Sequence, residues 1–146
     1  MSKRNDITNN IVAVLRDTTD PKPIFVTRET IDPNELARTQ FPSVVISTGD
    51  ETRSESTMGN SDFGTNSRRS VLNIIATCTV TGTEIDRLRN DIIERVEEAL
   101  EVDRTRDGNA EDTRLVEVSI DEAVDKRFGV ATMTFEVEYT YTRGAA

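Results

Sequence analysis

The chain has 146 residues, 27 of them acidic against 18 basic, no histidine and one cysteine, with a net charge of −9. Zinc sites, Ser–His–Asp triads and proton transfer near neutrality rely on His or on paired Cys, so this composition excludes most common active sites. So acidic a chain also opposes binding to nucleic acid through phosphate neutralisation, and its length suits one domain, 1–146, whose core needs no metal or disulfide.

The opening MSKRNDITNN carries no apolar segment of the kind a signal peptide needs, and no apolar run approaches membrane-spanning length. A soluble protein made inside a cell, with no membrane partner, is therefore expected. Ile7, Ile11, Val14 and Leu15 fall on one stripe, which predicts a first helix over Asp6 to Asp17 with Asp6 as its cap. The prolines of Asp20-Pro21-Lys22-Pro23 end that helix and extend the chain into a short strand, Ile24 to Thr27. A connector from Ile31 to Arg38 follows, and Phe41-Pro42 opens a strand over Val44 to Ser47.

Gly49 to Ser67, GDETRSESTMGNSDFGTNS, is a polar stretch between strands, with Met58 and Phe63 as its large apolar residues. Alone it reads as a mobile hairpin tip; in an assembly it reads as a partner-binding arm, because structureless loops this long are uncommon inside compact domains. The central strand, Ser70 to Thr81, alternates Leu72, Ile74, Ala76, Cys78 and Val80 with polar positions. Gly82 turns the chain, and Thr83 to Leu100 is the best helix: Ile85, Leu88, Ile92, Val96, Ala99 and Leu100 form its apolar stripe. Thr83 is placed to cap it, with Asp86 as the returning member of a capping box. Val102 to Thr113 is a polar connector, Leu115 to Ile120 a strand with Val116, Val118 and Ile120 on one face, and Asp121 to Arg127 a charged turn. The final strand sets Ala131, Met133, Phe135, Val137, Tyr139 and Tyr141 against Thr132, Thr134, Glu136, Glu138, Thr140 and Thr142. The pattern predicts an α+β domain in which a mostly antiparallel sheet of four to five strands is packed by two helices, in the order α-β-β-β-α-β-β, with a long polar hairpin arm.

Chemistry-bearing constellations are scarce. Glu94, Glu97, Glu98 and Glu101 read as the solvated face of the long helix beside Arg87 and Arg95. VDRTRDGNAEDT resembles a calcium loop in part, but Thr105 and Arg114 occupy ligand positions, so an ordinary turn at Gly108 is expected. Cys78, on an apolar strand face, reads as core filler. No catalytic residue, cofactor or metal site is expected, and the protein is read as a non-enzyme. The basic step Arg68-Arg69 at the root of the arm reads as a surface feature or half of an intersubunit ion pair, with Glu136 and Glu138 or the acids of the long helix as candidate partners. With Arg53, Met58 and Phe63 on the arm, these residues make up the expected subunit or partner interface.

An N-terminal helix, an FPSVVI strand running into a polar hairpin, an Arg-led central strand ending in Gly and an amphipathic helix closing in IERVEEALEVDRT come first. Two strands follow, the last reading GVATMTFEVEYTYTR. This arrangement resembles the tail terminator (minor tail, or tail completion) proteins of tailed phages, the lambda-type family. Gly129 and the Tyr139-Thr140-Tyr141 ending are similar to the last strand of that family. The resemblance implies a virion protein of the tail and neck, assembled in the host cytoplasm as a homo-oligomer, commonly a hexameric ring. Such a ring caps the tail tube protein, stops its polymerisation and joins it to the head-proximal connector or stopper protein. DNA would pass through the lumen without specific binding, since an acidic ring does not neutralise phosphates. Another head–tail neck protein, or a small ligand-binding regulatory α+β module with a pocket between sheet and helix, are the alternatives; such folds host many functions.

Overall fold

The computed structural model describes residues 3–18, 23–29, 36, 40–55, 67–121 and 127–142. The chain runs α1 (Lys3–Arg16), β1 (Phe25–Thr27), β2 (Ser43–Glu55), β3 (Ser67–Thr81), α2 (Ile85–Glu101), β4 (Asp112–Asp121) and β5 (Phe128–Thr142). This is the α+β class in the expected element order. The five strands form one sheet in the order β1-β2-β3-β5-β4; β1 pairs with β2 in parallel, and the other pairs are antiparallel.

Both helices lie on one face of the sheet. The buried side chains of β3 are Leu72, Ile74, Ala76, Cys78 and Val80, and those of β5 are Ala131, Met133, Phe135, Val137 and Tyr139. Alternation places these ten on a single face, where Ile7, Ile11 and Leu15 of α1 and Ile92, Val96 and Leu100 of α2 close over them. Fully burying a side chain of this size contributes about 1.5–3 kcal/mol, and this one layer is where the fold draws its stability. Cys78 sits within it, its Sγ 3.8 Å from the Sδ of Met133. Burial pushes its thiol up to about 12, which suits core filler and not a nucleophile.

Several local expectations are corrected. Helix α1 starts at Lys3, so Asp6 stands in the first turn, where a carboxylate favours the helix dipole, and not at the cap. Helix α2 is capped by Glu84 in a left-handed conformation (φ 57°) with no side-chain capping bond. The turn out of β3 spends positive φ at both Gly82 (138°) and Glu84, which carries Thr83 clear of the first helical turn. Asp86 pairs with Arg89 at 3.3 Å instead of closing a box. Strand β2 runs on to Glu55 and β3 begins at Ser67, so the hairpin legs enter the stretch read as arm, while residues 56–66, with Met58 and Phe63, lie outside the described residues. So do most of the 31–38 connector and the turn at 122–126.

The expected stripe on β4 is also re-phased. A bulge between Leu115 and Glu117 makes Val116 the extra residue. Thr113 and Leu115 then share the helix side with Val118 and Ile120, which stand opposite Met133 and Ala131. Five strands spaced about 4.8 Å apart occupy about 24 Å, whereas two helices about 10 Å across cover about 20 Å. The β4 edge is therefore left past the rim of α2, and Val118 and Ile120 are 40% and 47% exposed.

Candidate assembly interface at the arm root

The β2–β3 ladder carries a second bulge, and it shapes the arm root. Thr48 pairs with Ile74 but Glu51 pairs with Leu72, so Gly49 and Asp50 together face Asn73. A Cβ on Gly49 would lie 3.2 Å from Ile75 Cδ1 and 3.3 Å from the carbonyl of Asn73, so glycine is what lets the two strands stay this close at the kink. The extra residue reverses which side chains face the helices. Before it Val44 and Ile46 do; after it Glu51 and Arg53 do, opposite Leu72 and Ser70.

Glu51 consequently enters the end of the core. The hydroxyl of Tyr139, itself fully buried, donates to Glu51 Oε1 at 2.8 Å; Arg53 Nε donates to Oε2, and Arg4 Nε of α1 lies 3.6 Å from Oε1. Burial would raise the Glu51 carboxyl, but the bonds from Arg53 and Tyr139 outweigh it and hold the group below its ordinary 4.5. Burial, with the bond to Glu51, pushes Tyr139 upward. A carboxylate this well supplied with donors is a poor general base. Its chemistry is that of a clamp, tying α1, β2 and β5 together where the strands leave the helices. Lys3 adds a bond from Nζ to the carbonyl of Thr140 at 2.9 Å.

On the opposite face, which no described helix covers, Arg114 of β4 lies 3.7 Å from Glu136, 3.3 Å from Glu138 and 3.6 Å from Asp112. The two glutamates expected to meet a neighbouring subunit thus already share a cation of their own subunit, a cross-strand arrangement set by the pairing of Arg114 with Glu136. Arg69 is exposed and pairs with Thr140, diagonal to Glu138 on this same face. Arg68 pairs with Tyr141 and with Glu55. The structure therefore brings Arg69, Glu136 and Glu138 to one surface and turns Arg53 toward Glu51 on the other. Sequence reasoning missed Arg4, Glu51, Tyr139 and Arg114. The legible signal was Gly49-Asp50, a turn-forming pair inside a strand pattern, which marks a bulge.

The connector read as a partial calcium loop is held by its own residues. Asp103 accepts from the Thr105 hydroxyl at 2.5 Å and from the amides of Thr105 and Asp107, each at 2.9 Å. These bonds, the hydroxyl's first, hold its carboxyl at about 2 against an ordinary 3.8. Among the described residues no group of three or more His, Cys, Asp or Glu is arranged to hold a metal ion. Because the folded value is the lower one, the stability this carboxylate contributes is fully present above 3.8 and lost as the pH falls toward about 2. Asp103→Asn is expected to flatten that part of the acid-unfolding curve, read as urea midpoints on either side of the window.

Among the described residues no helix is long and apolar enough to cross a membrane. No protein-family model matches the chain, and no curated protein matches it in sequence.

Proposed function

We propose that the chain is a structural virion protein that assembles into a ring on the end of a phage tail tube, stops its growth and joins it to the head-proximal connector. The observation that carries this reading is the length of the sheet. Strands β3 and β5 are 15 residues each, about 50 Å at 3.3 Å per residue, whereas α2 is 17 residues, about 25 Å at 1.5 Å per residue. The pairs Ser54–Arg69–Thr140 and Glu55–Arg68–Tyr141 lie beyond the Tyr139–Glu51 clamp, where the helices end. A ladder that outruns its helices leaves a length of paired strand for partners to meet, and the element order is that of the resemblance. Capping needs binding alone: one ring face matches the last tube ring, and the other offers no site for further tube subunits.

The test is a reversal at the arm root. Arg68→Glu with Arg69→Glu is expected to abolish tube capping, read by particle imaging, with the oligomeric state followed by native mass spectrometry. Monomer stability should change by about 1 kcal/mol or less, the usual range for surface positions. A wild-type chain that neither forms rings nor caps tubes would overturn the reading; a double variant that caps tubes as the wild type does would overturn only the role of the arm root, and one that unfolds would make these arginines structural.

A further inference from the structure

The strand order sorts charge across the width of the sheet. The first part of the chain builds one side: residues 3–18 and 23–29, which include α1 and β1, hold four basic and three acidic residues, a net of +1. The later part builds the other: residues 85–121, comprising α2, the connector and β4, hold twelve acidic and six basic residues, a net of −6. On the first side Arg16 and Arg28 are exposed and held by neutral oxygens. Arg16 donates to the carbonyl of Val26 at 2.9 Å, and Arg28 to the side chains of Asn9 and Asn5 at 3.1 and 3.2 Å.

The two edges also differ in how they are finished. Strand β1 is three residues long, and Arg16 of α1 bridges to its backbone, which blunts it. Strand β4 is ten residues long, and among the described residues no strand pairs with its outer edge. Val116, Val118 and Ile120, three of the four large hydrophobic side chains found exposed among the described residues, stand on it. An open apolar edge by default invites its own copy, β4 against β4. Here that pairing would press two −6 surfaces together, and like charges face to face oppose it. The α1–β1 side, at a net of +1, carries no such repulsion and offers the exposed Arg16 and Arg28.

We propose that the β4 edge, with Val118 and Ile120 at its centre and the acids of α2 and the connector around them, docks on the α1–β1 side of a second copy of this chain. Copies then join head to tail, a heterologous contact that closes into a ring when the rotation per step permits. The inference rests on the ring reading above and names the lateral contact within it, which leaves the arm root to the tube.

Two blocked variants test it in the full chain. Val118→Lys with Ile120→Lys blocks the β4 edge; Ala13→Glu with Arg28→Glu blocks the other side at exposed positions, Ala13 being on the same helix row as Asn9 and Arg16. Each is expected to be monomeric by native mass spectrometry, with unchanged circular dichroism. Mixed in equal amounts they should give a dimer and nothing larger, because each retains one good face. Val118→Thr with Ile120→Thr keeps strand propensity and should weaken the ring in the same direction if the lysine pair fails to fold. Salt should dissociate the wild-type ring, since screening acts within about 10 Å at 0.1 M. A ring that persists in either blocked variant overturns this contact and leaves the ring reading standing. Self-dimers of the Ala13→Glu, Arg28→Glu variant would show β4 pairing with itself and overturn the head-to-tail geometry, as would a mixture that stays monomeric. A wild-type chain that is monomeric at every concentration and salt overturns both readings together.

Discussion

Replacing Arg106 by alanine is expected to lower the free energy of unfolding by about 3 kcal/mol, the larger of the effects anticipated in the monomer. Arg106 is fully buried, and its Nη2 donates to the carbonyl of Leu100 at 2.6 Å and to that of Asp103. Leu100 stands in the last turn of α2, where carbonyls have no partner within the helix. The side chain therefore caps α2 from the loop that follows it. A charge-assisted hydrogen bond is worth about 1.5–3 kcal/mol, and alanine would remove both and leave the carbonyls buried. The opposing effect is real: burial pushes the guanidinium below its ordinary value, with Asp103 and Glu101 only partly restoring it. Its Nε and Nη1 also find no acceptor among the described residues, so removing the charge returns part of the cost. Arg106→Met separates the contributions, since it keeps the apolar stem and loses the donors; it should fall between wild type and alanine in urea unfolding. A loss below about 1 kcal/mol for alanine would mean the last turn of α2 is held by something else.

The second large effect is expected at Gly129, where alanine should destabilise by about 1–3 kcal/mol and valine by more. The reason is space and not backbone freedom. A Cβ at 129 would fall inside the contact distance of Ile85 Cγ2 and 3.1 Å from Val80 Cγ2. Ile85 is the first residue of α2, and a β-branched side chain in a helix has little choice of rotamer with which to retreat. The first turn of α2 is thus pressed directly onto β5. If so, Ile85→Ala should be costly alone but should recover much of the loss when combined with Gly129→Ala. That non-additivity is the diagnostic of two groups sharing one volume, and strict additivity of the two losses in a double-mutant cycle would refute the contact.

The parts of the fold that were legible are those where burial is periodic. Leu72 to Val80 and Ala131 to Tyr139 alternate, the stripe from Ile85 to Leu100 steps by three and four, and each became a core face. Strand ends were not legible, because pairing decides them: nothing in Ser67-Arg68-Arg69 favours a strand until Thr140 to Thr142 lie alongside. The same holds for the sites. Arg106 in VDRTRDGNAEDT reads as one more surface cation, and only the left-handed backbone at φ 51° turns it inward. Glu51 reads as an arm residue, and Val116 as a partner of Val118 on one face. Both were displaced by a single extra residue in a ladder, a change that shifts phase without altering composition.

That extra residue at Gly49-Asp50 has a consequence for how the hairpin can vary. The sidedness of β2 from Glu51 to Glu55 is inherited from the kink. Deleting Asp50 would leave a regular ladder in which Gly49 alone faces Asn73 and Glu51 still stands opposite Leu72; straightening the ladder with Asp50 kept would instead set Asp50 opposite Leu72 and turn Glu51 to the other face. One position in the ladder thus acts as the reading frame for the far end of the strand.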